Sequence, residues 1–272
     1  MKFVDPGGLA IAFMVCLAVF APLESWLPHQ SGRRFFRSGW FTDFLHFFVG
    51  DLVRKVVTIA FALPVILLLG KLVNPVLQAR VLAQPWWLQI IEAQVIAEIG
   101  GYWGHRLSHQ IPFLWRFHAV HHSSEQLDWL AAARVHPVDQ AFTRMFAFVP
   151  LYLLGFSKTT FGALIVLETF HAIFIHSNTR LRFGWLEHWI STPAFHHWHH
   201  ANDGRAVINK NYAGLLPWVD RLFGTHHLPK DRLPERYGID EPMPAGYFGQ
   251  ITAPFKARRS SFDRRPSTAG SA

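Results

Sequence analysis

Histidine is concentrated in this chain in a pattern that asks for a chemical reason. Of 17 histidines in 272 residues, most fall between His105 and His200. The segment HRLSH places His105 and His109 at i and i+4, HAVHH places His118, His121 and His122 at i, i+3 and i+4, and HHWHH repeats that spacing with His196, His199 and His200. Residues three and four apart share one face of a helix. Each HxxHH box can therefore aim three imidazoles at one region, and HxxxH supplies two more. Eight imidazoles from these three segments exceed what one tetrahedral zinc accepts. They match two metals sharing one cluster. Imidazole suits iron, zinc, copper and nickel, so ligand type alone does not choose the metal. His197 falls outside the HxxHH spacing.

The segment HAIFIH adds His171 and His176. Five residues turn a helix by about 140°, so both reach one cluster only if the helix ends or bulges there. Glu168 and His171 form an ExxH pair, a pattern that di-iron helical bundles use together with several more carboxylates. Glu168 lies inside an apolar run, where an ionisable side chain is a functional candidate. It is expected either as a ligand or ligand-orienting partner, or as a neutral or paired acid. Glu92 and Glu98 are read in the same way. The scattered His29, His46, His188, His226 and His227 are expected to be ordinary hydrogen-bonded residues. Cys16 is the only cysteine, which excludes an intrachain disulfide and a Cys-based zinc site.

The elements that must position these boxes are apolar helices. Hydrophobic residues make up 50% of the chain and charged residues only 16%, against about 25% charged in a typical soluble domain. Four apolar stretches stand out: Gly7 to Leu27, Phe44 to Gly70, Trp86 to Trp103, and Met145 to Ile175. The last is broken at Gly155-Phe156-Ser157-Lys158 and reads as a membrane hairpin. Trp26, Trp40, Trp86, Trp87 and Trp103 mark stretch ends, where amphipathic indoles favour the lipid–water interface. The first stretch reads as a retained anchor rather than a cleaved signal. The net charge of +8 is spread over loops and the tail, with no basic stripe for nucleic acid. Arg33, Arg34, Arg37, Arg106, Arg116 and Arg134 fall on one side of the membrane and Lys71 and Arg80 on the other. The positive-inside rule then puts the histidine boxes and the C-terminus in the cytoplasm.

Taken in order, HRLSH, HAVHHS, RVHP, HAIFIHSN, FHHWHH and NYAGLLPWVDRLFGT resemble the fatty acid hydroxylase / sterol desaturase superfamily of integral-membrane, non-haem di-iron enzymes. The likeness is strong from about Gly100 to Gly224. It implies an all-α, multi-pass fold of about four transmembrane helices under a cytosolic helical cap. Residues 1–104 would supply the first membrane helices, 105–252 the catalytic region with its hairpin at about 145–176, and 253–272 a disordered basic tail. The implied metal ligands are His105, His109, His118, His121, His122, His171, His176, His196, His199 and His200. Arg134 and His136 of the RVHP segment and Asp139 just beyond it, with Glu168, would orient them by hydrogen bonding. Two departures follow the last box: Asn211-Tyr212-Ala213 stands where the superfamily has NYG, and Trp218-Val219-Asp220 where it has WD.

The implied chemistry is O2-dependent hydroxylation or desaturation of a lipid C–H bond, fatty acyl or sterol-like. Such a bond is too strong for side-chain acid–base chemistry and calls for a redox metal. Two iron ions are the expected cofactor, with zinc as a possible occupant in purified protein. The expected partners are the lipid substrate, O2, the bilayer and a separate electron donor, cytochrome b5-like or ferredoxin-type. A bacterial inner membrane is favoured over the endoplasmic reticulum. The rival reading is a histidine-rich membrane metal transporter or metal-binding protein, which would string its ligands along a path through the spans. A membrane cytochrome would need only one or two axial histidines per haem.

Overall fold

A computed structural model describes residues 6–204, 206–230 and 232–256. Among these residues all regular structure is helical. The ten α-helices are α1 (Pro6–Trp26), α2 (Trp40–Leu69), α3 (Pro75–Leu82), α4 (Trp86–Gln110), α5 (Pro112–His122), α6 (Pro137–Leu154), α7 (Lys158–His176), α8 (Pro193–His199), α9 (Trp218–Leu222) and α10 (Tyr247–Thr252). Three stretches are long and apolar enough to cross a membrane: Pro6–Trp26, Trp40–Leu72 and Lys158–His176. The stretch from Trp86 forms a longer, more polar helix than its apolar part suggests. α4 runs on through the HRLSH box and buries Gln89, Gln94 and Glu98. α6 and α7 follow one another across a turn at Gly155, whose φ of 86° favours glycine, and each packs on α4. The basic tail beyond Lys256 lies outside the described residues, while Ala253–Phe255 form a 3-10 turn.

Proline sets several helix starts. A residue before proline is pushed out of the α region, and proline itself suits the first helical position. Ile111 (φ −97°, ψ 116°) therefore ends α4, and Pro112 starts α5 at once. His136 before Pro137 and Thr192 before Pro193 do the same for α6 and α8. Thr192 accepts the Phe195 N–H, and His136 Nδ1 accepts the Val138 N–H. The histidine boxes thus sit on short helices whose directions are locally determined.

Close packing of α4 on α6 brings those helices to one level. A Cβ at Gly100 would lie 2.1 Å from the Phe146 carbonyl oxygen, and one at Gly104 would lie 3.1 Å from Thr143 Cα. Such small residues let membrane helices approach closely. Ala93, Ala97, Ala147, Leu151 and Leu164 fill the seam at the far end. α1 packs through Cys16 and Phe20 against Trp129 and Leu130. Near the end of α1, Glu24 accepts the N–H groups of Trp129 (2.7 Å) and Asn178 (2.9 Å). At the start of α2, the buried Asp43 pairs with Arg37 and Arg134. These contacts join the ends of α1, α2 and α7 to the turn beneath the HAVHH box.

Candidate metal centre

Nine histidines converge in two groups. The first holds His105, His109, His118, His122 and His199; the second holds His121, His176, His196 and His200. Within each group one ligand atom per residue lies within 4.8 Å of all the others. All are buried except His105, which is half-buried. The two groups touch: the rings of His122 and His200 stack with centroids 4.4 Å apart.

The distribution follows helix geometry. Within an HxxHH box the i and i+4 members lie about 40° apart, and the i+3 member lies about 60° to the other side. In HAVHH the pair His118 and His122 enters the first group and His121 the second. In HHWHH the pair His196 and His200 enters the second group and His199 the first. Each box therefore gives two imidazoles to one group and one to the other, in opposite sense. His105 and His109, again i and i+4, complete the first group. His176, at the last turn of α7, completes the second.

The proton positions show what these groups can hold. His105 Nδ1 donates to the Tyr212 carbonyl (2.7 Å), His118 Nδ1 to Asp139 (2.9 Å) and His199 Nδ1 to the Lys210 carbonyl (2.8 Å). His121 Nδ1 donates to the Arg134 carbonyl (3.0 Å) and His176 Nδ1 to the Ala172 carbonyl (2.6 Å). An imidazole that donates from Nδ1 and is neutral presents a bare lone pair at Nε2. Yet Nε2 of His105 lies 3.1 Å from Nε2 of His118, and Nε2 of His176 lies 3.2 Å from Nε2 of His121. Facing lone pairs at that distance repel unless a cation lies between them. Protonation is disfavoured, because burial holds His118, His121, His122, His196, His199 and His200 well below the usual imidazole pKa, with neighbouring imidazoles adding to the effect. Nitrogens about 2.1 Å from one metal would be about 3.0 Å apart at right angles and about 3.4 Å apart in a tetrahedron. The donor set fits bound metal in both groups, and five imidazoles in the first exceed a closed tetrahedral site.

His171, a turn before the end of α7, falls outside both groups, and its buried Nε2 has no hydrogen-bond partner among the described residues. His197 points away from the metal groups: its Nδ1 meets Tyr237 Oη at 2.7 Å and its Nε2 donates to the Ser177 carbonyl at 3.0 Å. Just past the RVHP segment, Asp139 contacts His118 through its carboxylate, and within it Arg134 contacts His121 through its backbone carbonyl while its side chain pairs with Asp43. His136 caps α6 and donates from Nε2 to the Ile251 carbonyl (3.1 Å). Burial raises the Asp139 carboxyl to about 6. Glu168 has Arg144 as its charged neighbour. Glu98 receives the Leu215 N–H on both carboxylate oxygens (3.0 and 3.1 Å).

The loop 209–213 was not singled out by spacing, and it orients three imidazoles of the first group. Asn209 Oδ1 lies 3.2 Å from His109 Nδ1, and the carbonyls of Lys210 and Tyr212 receive His199 and His105. Asn209 and Asn211 adopt positive φ, 64° and 59°, a conformation asparagine tolerates. Asp220, fully buried, accepts the N–H groups of Tyr212 and Ala213 (both 2.8 Å) and the Thr225 hydroxyl (2.6 Å). The motif after the last box therefore bears directly on the first group of imidazoles. Asn-Lys-Asn followed by an Asp in the next short helix was its sequence signal.

Comparison with known proteins agrees with this geometry. A sequence model described as fatty acid hydroxylase matches residues 90–225. An ornithine lipid hydroxylase of Rhizobium tropici is 36% identical over 184 residues, 67% of this chain and 55% of that protein. An alkylglycerol monooxygenase of Danio rerio is 35% identical over 161 residues, 59% of this chain and 34% of that one. A delta(7)-sterol 5(6)-desaturase of Gibberella zeae is 32% identical over 150 residues, 54% of this chain and 45% of that one. The matched region thus spans about half or less of each of these relatives. No solved structure matches.

Proposed function

The chain belongs to the fatty acid hydroxylase family, and from that membership we propose that it is an O2-dependent, di-iron membrane oxidoreductase that hydroxylates or desaturates a lipid C–H bond. The substrate class is a fatty acyl or sterol-like lipid, in keeping with the printed activities of its relatives. The observation that carries the reading is the pair of adjoining imidazole groups, in which five rings have their Nδ1 proton committed to an acceptor and Nε2 atoms face one another at about 3.1 Å. Iron bound in both groups would supply the redox chemistry that activates O2 against an unactivated C–H bond.

This chain's own residues do the rest. Asp139 and the carbonyls of Arg134, Ala172, Lys210 and Tyr212 hold five imidazoles in one tautomer. Such outer partners raise ligand basicity and hold ring orientation. Burial of eight of the nine histidines keeps bulk water from the centre. The ends of α1, α2 and α7 lie beside it, so a lipid can reach the centre from the bilayer. In this reading electrons come from a separate donor, cytochrome b5-like or ferredoxin-type. The metal side faces the cytoplasm in this reading. Arg33, Arg34, Arg37 and Arg180 lie at that end of the spans, and Lys71 and Arg80 at the other. The host is a bacterial inner membrane, in keeping with the Rhizobium relative. A transport path is disfavoured, because the ligands close into two groups at one level.

The test is metal content and lipid turnover of the detergent-solubilised chain. About two irons per chain are expected, with a product carrying one more oxygen or two fewer hydrogens when lipid extract, O2 and reductant are supplied. Two bound metals with no O2 consumption under any lipid would refute the oxidoreductase reading.

A further inference from the structure

The helix ends locate the lipid–water boundary. α1 stops at Trp26 and α7 at His176, and the chain just beyond each is tied to the other. The Arg180 N–H donates to the Leu27 carbonyl and the His29 N–H to the Asn178 carbonyl, both at 3.0 Å. Large aromatic side chains are exposed at this level: Trp26 is 76% exposed, Trp185 70% and Trp189 59%. Indoles favour the headgroup region.

Beside this belt lies a cleft of about 350 Å³ lined by Arg180, Arg182, Lys230 and Arg232, with Ala194 and Leu233. Arg182 is paired with Glu187 (2.8 Å), in the short turn Gly184–His188 that exposes Trp185. That pairing fastens the cleft to the aromatic belt. Arg232 lies 5.3 Å over the Trp198 ring. Among the described residues no ion pair engages Arg180, Lys230 or Arg232, and all three are exposed. Asp231, between the last two in sequence, lies outside the described residues. Three of the four cations around the opening, Arg180, Lys230 and Arg232, have no carboxylate partner among the described residues, and cations gathered in this way favour a shared anion. At the depth of two span ends, the anion in reach is a lipid phosphate.

We propose that this cleft binds the phosphate of an anionic phospholipid, at a site separate from the metal centre and independent of the reaction assigned to it. Arg180, Lys230 and Arg232 supply charge that no described residue pairs, Arg182 completes the rim, and the indoles of Trp185 and Trp189 lie against the glycerol and upper acyl region.

The experiment titrates the full metal-loaded chain, in neutral detergent, with short-chain phosphatidylglycerol and phosphatidylcholine, counting bound lipid by native mass spectrometry. Phosphatidylglycerol is expected to bind about tenfold more tightly than phosphatidylcholine. Arg180→Gln combined with Lys230→Gln should abolish the preference while metal content and helicity stay unchanged. Lys71→Gln combined with Arg80→Gln, at the opposite end of the spans, should leave it intact. Each cleft substitution alone should give an intermediate loss, which keeps the test valid if the double variant folds poorly. Equal binding of the two lipids, or a preference untouched in the cleft variants, overturns the proposal. Displacement of phosphatidylglycerol by equimolar inorganic phosphate also overturns it, because the site would then be one for a soluble anion.

Discussion

His118 joins the two sides of the metal centre's first group: its Nδ1 lies 2.9 Å from Asp139 Oδ2 and its Nε2 3.1 Å from Nε2 of His105. The carboxylate commits the Nδ1 proton, and so leaves Nε2 as a metal donor. Asp139→Asn keeps the side-chain size but can turn an amide N–H₂ toward Nδ1, which favours the wrong tautomer. Metal affinity should fall about 10- to 100-fold, read by competition with a chelator. Unchanged affinity would reduce Asp139 to a packing role at the start of α6.

The division of the histidines makes the two proposed metal sites separable. His200→Ala removes one of four ligands from the second group and His199→Ala one of five from the first. Each should lower metal content toward about one per chain, and the double variant further still. His171→Ala should retain the wild-type metal content, since His171 lies outside both groups. Loss of metal in that variant would show that the region around α7 rearranges around bound iron.

Asp220 tests whether the loop after the last box serves the ligands. Its carboxylate satisfies Tyr212 N, Ala213 N and Thr225 Oγ1, all buried. Asp220→Ala leaves those donors unpaired, which costs about 1–3 kcal/mol for each unsatisfied group. A lower Tm is expected, together with selective weakening of metal in the first group, whose His105 and His199 depend on this loop. Equal weakening of both groups would mean that the loss is only global.

The pH dependence of the metal-free protein has a definite sign. Burial lowers the pKa of the cluster histidines in the folded state. Below the usual imidazole value the unfolded chain therefore binds more protons than the folded one, and stability falls as pH falls. The stabilisation is fully present above about pH 6.5, the unperturbed imidazole value, and is lost progressively below it. Thermal melts of chelator-treated protein between about pH 8 and 5 should show a declining Tm. A Tm rising toward acid would mean that the folded cluster shares protons rather than excluding them.

Much of the centre was legible in the sequence because its spacing is local. The i, i+3, i+4 pattern of HAVHH and HHWHH is a statement about one helix face, and proline before each box announces where its helix starts. Apolar runs announced α1, α2 and the α6–α7 pair for the same reason. The polar residues of α4 were equally visible, but their burial against α6 depends on Gly100 meeting Phe146 and Gly104 meeting Thr143, contacts distant in sequence.

The sequence by itself determined that this is a helical, apolar chain with a histidine cluster able to hold metal, because helix period and apolar length act within single segments. Tertiary structure alone decided how the imidazoles divide between the two groups, that His171 stands apart while His176 enters, and that the 209–213 loop and Asp220 orient the first group. Those outcomes depend on where four chain segments meet. Contacts such as His118 with Asp139 and His105 with Tyr212 span 21 and 107 residues, and no local periodicity encodes them.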